Sequence, residues 1–148
     1  MPVVLANTSD DAIVDMKTDG ANVYWIDQSN VLSSVSVCGG PVTEIATVGG
    51  ARMVGPTLAL DTDNVFVAVD KYVWQVSKNG GCTLALASGQ SAASGVAVSE
   101  GSVYWSGWNG LTSATINQVP VGGGPVTALA ANLPLRPVNA AAGSSSYC

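Results

Sequence analysis

The sequence predicts an all-β protein built from a repeated unit of four short strands. The main observation is a Val-aromatic run that occurs three times, as Val23-Tyr24-Trp25, Val65-Phe66-Val67 and Val103-Tyr104-Trp105. Such β-branched and aromatic runs favour strands. The second observation is a glycine turn later in each repeat, at Gly39-Gly40, Gly80-Gly81 and Gly122-Gly123. A tight hairpin needs the positive φ that glycine adopts without strain.

The elements follow one order in each repeat. A short apolar strand comes first, the Val-aromatic strand is second, and the third strand alternates valine with polar residues, as in residues 31–37. The fourth strand follows the glycine turn. The repeats recur at intervals of about 40 residues, the period of a four-stranded propeller blade. We therefore predict three full β-propeller blades, at about residues 12–47, 56–88 and 95–131.

The chain ends predict incomplete blades within a single domain or propeller segment over residues 1–148. Residues 2–7 match a lone fourth strand, and residues 133–148 match a linker and an unfinished inner pair of strands. The Val-aromatic strands are apolar on both faces, so each sheet should be covered on both sides. Three outcomes stay open: a cramped four-bladed ring, two chains paired head to tail, or a piece of a longer propeller. We favour the last two.

The run Tyr24-Trp25-Ile26-Asp27 resembles the YWTD signature of low-density-lipoprotein-receptor propellers. The longer pattern, Val-Tyr-Trp followed by Gly-Gly-Pro-Val-Thr, is similar to a repeat of secreted bacterial propeller proteins. The resemblance covers nearly the whole chain and implies a propeller fold without implying an activity. The second repeat departs from the pattern with Phe66-Val67, and the third has Gly107 where the first has Asp27.

Composition argues against several classes of function. The chain has no histidine, which removes the usual general base, the Ser-His-Asp arrangement and most zinc sites. Five basic against ten acidic residues leave no basic patch for nucleic acid. No apolar run is long enough to span a membrane. We therefore predict a protein that is not an enzyme and has no cofactor. Few lysines, an acidic balance and strands rich in Ser, Thr and Gly indicate an extracellular or periplasmic location.

Cysteine pairing stays open. Cys38, Cys82 and Cys148 permit at most one internal bridge. Cys38 and Cys82 flank glycine turns of successive repeats, which would place them on neighbouring sheets.

Candidate contact residues are aromatic. Trp108 breaks the repeat register and stands before Asn109 in a predicted turn, where it could stack on a sugar ring or anchor a protein partner. Trp74, beside Tyr72, is a second candidate, with packing as its alternative. Trp25 and Trp105 recur at one repeat position, which indicates packing between blades.

Acidic residues offer one alternative site. Asp61 and Asp63 have a spacing at which a loop could wrap a calcium ion, but aspartates at a predicted turn also bond their own backbone. We expect turn chemistry and no metal site here. The predicted function is a non-enzymatic scaffold that binds a protein partner or copies of itself. The alternative is a lectin-like carbohydrate-binding module.

Overall fold

The computed structural model describes residue 4 and residues 12–51, 57–108 and 113–134. This part of the chain contains β-strands and no helix, and hence no helix that could cross a membrane. The strands are β1 (Ile13–Thr18), β2 (Asn22–Asp27), β3 (Val31–Ser36), β4 (Thr43–Thr47), β5 (Thr57–Leu60), β6 (Asn64–Val69), β7 (Tyr72–Ser77), β8 (Thr83–Ala87), β9 (Ser94–Ser99), β10 (Ser102–Trp108), β11 (Ser113–Pro120) and β12 (Thr127–Pro134).

The strands form three four-stranded antiparallel sheets, each a meander in chain order. Sheet I contains β1–β4, sheet II contains β5–β8 and sheet III contains β9–β12. Each is a run of local pairings, in which every strand bonds to its neighbours in sequence. The all-β prediction of four-stranded antiparallel units is confirmed.

Two apolar cores hold the sheets together. The first core joins sheets I and II through Tyr24 and Ile26 on one side and Val65 and Val67 on the other. The second core joins sheets II and III through side chains that include Phe66 and Trp105. In sheets I and II, we call the side that faces the next sheet in chain order the forward face. In sheet III, the forward face is the side that faces away from sheet II. The opposite side of each sheet is its backward face.

Strand β6 shows why the sheets stack. Val65, Val67 and Val69 belong to the core shared with sheet I, while Phe66 and Ala68 belong to the core shared with sheet III, and all five are fully buried. Alternate residues of a strand point to opposite faces, so a run that is apolar at every position needs a partner on both sides. The expected burial of the Val-aromatic strand is confirmed, as is that of Trp25 and Trp105, which are 4% and 0% exposed.

The third-to-fourth-strand turns depend on glycine. Gly39, Gly80 and Gly122 have φ values of 83°, 77° and 84°. A residue with a Cβ is strained there, which explains the repeated glycines. Near two of these turns lie Cys38 and Cys82, which are free and exposed.

The C-terminal end of sheet III differs from the prediction. Leu133 and Pro134 continue β12, paired with Ala114 and Ser113, and do not begin a linker. Asn132, with φ of 57°, lies just before this extension. The rest of the predicted segment 133–148 lies outside the described residues. Of the predicted strand at residues 2–7, only Val4 is described, and it is not in a strand.

Candidate functional site

The sequence analysis predicted that Trp108 lies in a turn, but Trp108 is the last residue of β10. It pairs with Ala114 of β11, and its backbone N–H donates to the Ser91 carbonyl at 2.6 Å. The prediction failed because Gly107 and the residues after Trp108 have a turn-like composition. The Trp108 indole is 44% exposed, and its role as a contact residue stays a prediction. Asn109, the other predicted contact residue, lies outside the described residues.

Gly107 explains how the strand continues up to Trp108. A Cβ at this position would lie 2.7 Å from Thr115 Oγ1 and 3.2 Å from Asn117 Nδ2. The sheet therefore has no room for a side chain here, and the departure from the repeat pattern at Gly107 follows from this close approach.

Trp108 shares the forward face of sheet III with Tyr104 and Ile116. The register of β10 and β11 places these side chains on the same side, since Tyr104 pairs with Gln118, Ser106 with Ile116 and Trp108 with Ala114. Tyr104 and Ile116 are partly exposed. The strands of sheet III contain no Asp, Glu, Lys or Arg. This forward face is therefore uncharged and partly apolar.

The same repeat positions are closed in sheets I and II. Tyr24 and Phe66 are the counterparts of Tyr104 and are 3% and 0% exposed. The counterparts of Ile116 are Leu32 and Val73, which are fully buried. The forward face of sheet III thus carries the positions that form a core in the other two sheets.

A second open region is the β1 edge of the backward face of sheet I. Met16, which pairs with Trp25, is 53% exposed. Its counterparts Leu58 and Val96 are 1% and 7% exposed because they pack against the preceding sheet.

Trp74 and Tyr72 lie on β7, as predicted, and both are partly buried. Their rings stack with centroids 5.4 Å apart. The Trp74 indole N–H donates to the Gly49 carbonyl at 2.9 Å, and the side chain packs against the core between sheets I and II. Trp74 therefore connects the two sheets, in line with the packing alternative.

Asp61 and Asp63 flank the turn between β5 and β6. Asp61 Oδ1 accepts hydrogen bonds from the backbone N–H groups of Asp63 and Asn64, at 2.8 and 2.6 Å. These bonds are the turn chemistry that aspartate offers. Among the residues described, no group of three or more Asp, Glu, Cys or His side chains is arranged to hold a metal ion.

A polar cleft of about 550 Å³ lies between the hairpin turns of sheets I and II. Lys78 Nζ of sheet II donates to Asp19 Oδ2 of sheet I at 2.8 Å. The same ammonium lies 5.2 Å from the centre of the Tyr24 ring, and the Tyr24 hydroxyl also donates to Asp19 Oδ2, at 3.1 Å. Other polar side chains, including Glu44 and Asp63, also line the cleft.

Neighbouring groups in this cleft keep Asp19 ionised and Tyr24 protonated. The hydrogen bond from Lys78 holds the pKa of Asp19 far below its usual range, helped by backbone N–H donors of the turn. Burial raises the pKa of Tyr24, and its contact with the Asp19 carboxylate adds to that shift. An ionised Asp19 paired with ammonium is a poor proton acceptor, and a protonated Tyr24 is a poor nucleophile. The arrangement suits cross-linking of two sheets better than acid-base chemistry.

Sequence reasoning missed this cluster. Asp19 and Lys78 are separated by 59 residues, and their contact depends on how sheets I and II stack. One signal was present: Asp19 and Asp61 begin equivalent turns, and each accepts backbone N–H bonds from the residues two and three positions later.

No protein-family model matches this chain, and no curated protein matches it. Among solved structures, a chain in the crystal structure of a nidogen/laminin complex is similar, with a TM-score of 0.68 and 23% identity over 84% of this chain and 51% of that one. The computationally designed Ika4 protein is similar with a TM-score of 0.69 and 17% identity, over 86% of this chain and 78% of that one. The chain spans about half the length of the matched chain in the nidogen/laminin complex. At these identities the likeness shows the fold alone, which is β-propeller-like.

Proposed function

We propose that this protein is a non-enzymatic, β-propeller-like scaffold that binds proteins through the forward face of sheet III. The forward face of sheet III is the observation that carries the proposal. It contains Tyr104 and Ile116, whose counterparts are buried in the other sheets, next to an exposed Trp108. A partly exposed apolar surface of this kind is typical of interaction sites, and tryptophan and tyrosine are frequent anchors there.

Two further observations support a binding role. The chain lacks histidine, and its best-defined polar cluster keeps Asp19 ionised and Tyr24 protonated, which suits neither a general base nor a nucleophile. One similar fold occurs in the crystal structure of a nidogen/laminin complex, in which two proteins are in contact. We also propose an extracellular or periplasmic location from the composition, which has few lysines and many Ser, Thr and Gly residues.

The test is capture on the immobilised full chain from an extract of the cells that make it. We expect the wild type and the control variant Val42→Glu to retain the same protein, and Trp108→Glu to lose it. Val42 is a matched control because it is 45% exposed and lies in the β3–β4 connection. Equal capture by all three chains, or none, would contradict the proposal.

Trp108 also favours a second candidate, carbohydrate binding. An exposed indole can stack on a sugar ring through its apolar surface. A glycan array probed with the wild type and Trp108→Ala tests this role. Binding of a defined glycan that Trp108→Ala loses would support the lectin-like module. An array on which the wild type binds nothing would contradict it.

A further inference from the structure

We propose that the polar cleft between sheets I and II binds a sugar without acidic groups. The cleft has a volume of about 550 Å³. Small-molecule sites have volumes of about 300–1,000 Å³, so a sugar of one or two rings has room here. This inference goes beyond the proposed function, because the cleft is formed by sheets I and II, whereas Trp108 and the forward face described above belong to sheet III.

The cleft offers both donors and acceptors of hydrogen bonds. The carboxylates of Asp19, Glu44 and Asp63 are acceptors, the ammonium of Lys78 is a donor, and the Asn79 amide can act as both. A sugar hydroxyl donates one hydrogen bond and accepts others. A ring that carries several hydroxyls therefore suits a cleft whose lining mixes donors with acceptors.

Two of the carboxylates are open to a ligand. Glu44 and Asp63 are exposed, and among the described residues their carboxylates have no hydrogen-bond partner. A hydroxyl that donates to a carboxylate forms a charge-assisted bond, which is stronger than a bond between neutral groups. Glu44 belongs to β4 of sheet I and Asp63 to the β5–β6 turn of sheet II, so a ligand that bonds to both would span the cleft.

The Lys78 ammonium is already held in place. The Lys78 side chain is 10% exposed, its Nζ donates to Asp19 Oδ2 at 2.8 Å, and the same atom lies 5.2 Å from the centre of the Tyr24 ring. A group that is fixed before binding loses little conformational entropy when it bonds to a ligand. An ammonium has three N–H donors, so its bond to Asp19 leaves donors for a sugar oxygen.

The charge of the cleft selects against acidic ligands. Three carboxylates and one ammonium line it, so it carries an excess of negative charge near neutral pH. This charge repels uronic acids and sugar phosphates. The expected ligand is therefore a sugar whose polar groups are hydroxyls.

Isothermal titration calorimetry of the full chain tests the proposal with the neutral disaccharides maltose, cellobiose and lactose, and with digalacturonic acid as an acidic probe. We expect at least one neutral disaccharide to bind and digalacturonic acid not to bind. Asp63→Ala and Glu44→Ala should each weaken that binding about tenfold, because each removes a hydrogen bond to a charged group.

The matched control is Glu100→Ala. Glu100 is an exposed carboxylate in the equivalent turn of sheet III and does not line the cleft, so this variant should bind as the wild type does. Circular dichroism of each variant checks the fold, and Asp63→Asn with Glu44→Gln repeats the test if an alanine variant does not fold.

Failure of the wild type to bind any of the neutral disaccharides would overturn the inference. So would a disaccharide that the wild type and both cleft variants bind equally well, and loss of that sugar in Trp108→Ala would assign the carbohydrate site to Trp108 instead. Binding of digalacturonic acid as tight as that of the neutral sugars would also contradict it. Capture of a protein through Trp108 is a separate measurement, so the proposed function can hold where this inference fails.

Discussion

Phe66 and Tyr104 occupy the same position of successive sheets, but their surroundings differ. Phe66 is fully buried because sheet III covers the forward face of sheet II. Tyr104 stands on the forward face of sheet III and is partly exposed. The same sequence pattern thus forms a core where a next sheet is present and an open surface where the described chain provides none. Burial in this protein is decided by the neighbouring sheet.

The largest expected effect is at the closed face. Phe66→Ala should lower the free energy of unfolding by about 3–5 kcal/mol, because it removes a buried ring and leaves a cavity between sheets II and III. Tyr104→Ala at low protein concentration should cost about 1 kcal/mol, since its ring is only partly covered. Urea denaturation monitored by circular dichroism measures both. Equal losses for the two variants would show that the open face is packed as tightly as the closed one.

The backward faces give a parallel comparison. Leu58→Ala should cost about 2–5 kcal/mol, because Leu58 is buried against sheet I. Met16→Ala, at the equivalent position of sheet I, should cost less than about 1 kcal/mol at low concentration, since Met16 is 53% exposed. The same denaturation experiment applies. A loss for Met16→Ala as large as that for Leu58→Ala would contradict the repeat equivalence on which the comparison depends.

The glycine turns should not distinguish the sheets. Gly80→Ala in sheet II and Gly122→Ala in sheet III should each cost about 1–2 kcal/mol, because both glycines have a positive φ near 80°. A Cβ at Gly122 would meet no atom within 4 Å, and one at Gly80 only a carbonyl oxygen at 3.9 Å, so strain of the backbone sets the cost. Thermal unfolding of the two variants measures it. Unequal losses of stability in the two variants would mean that sheets II and III differ in more than whether a neighbouring sheet packs on their forward faces.

The smallest expected effect concerns the ion pair between sheets I and II. Asp19→Asn should lower the free energy of unfolding by about 0.5–1 kcal/mol at pH 6, because Lys78 loses its partner. The folded-state pKa of Asp19 lies below its unfolded value near 3.9, so its contribution is fully present above about pH 4 and decreases as the pH falls further.

Urea denaturation of wild type and Asp19→Asn from pH 6 to pH 2 tests this dependence. The difference between them should shrink below about pH 4, whereas Asp63→Asn, a control at an exposed aspartate of the same cleft, should follow the wild type more closely. A difference that stays constant or grows toward acid would exclude the assigned role of Asp19.

Much of the fold could be predicted from the sequence because it depends on patterns of a few adjacent residues. The Val-aromatic runs at Tyr24 and Tyr104 placed the second strand of each sheet, and the turns at Gly39 and Gly122 separated the third strand from the fourth. These features depend on alternation and on backbone conformation, which are properties of a few adjacent residues.

The candidate site could be predicted only in part because it depends on contacts between sheets. Trp108 was identified by its break from the repeat, but its place at the end of β10 depends on pairing with Ala114. The contact of Lys78 with Asp19 forms only because sheets I and II stack on each other. The same is true of the hydrogen bond from the Trp74 indole to the Gly49 carbonyl. A single repeat contains no information about which turn of the next sheet it will face.

Oxidative footprinting of the wild-type chain tests the account most directly. Trp105, which is fully buried between sheets II and III, should stay protected. Trp108, which is 44% exposed at the end of β10 in sheet III, should be oxidised much faster. Oxidation of the two residues at the same rate would contradict the account.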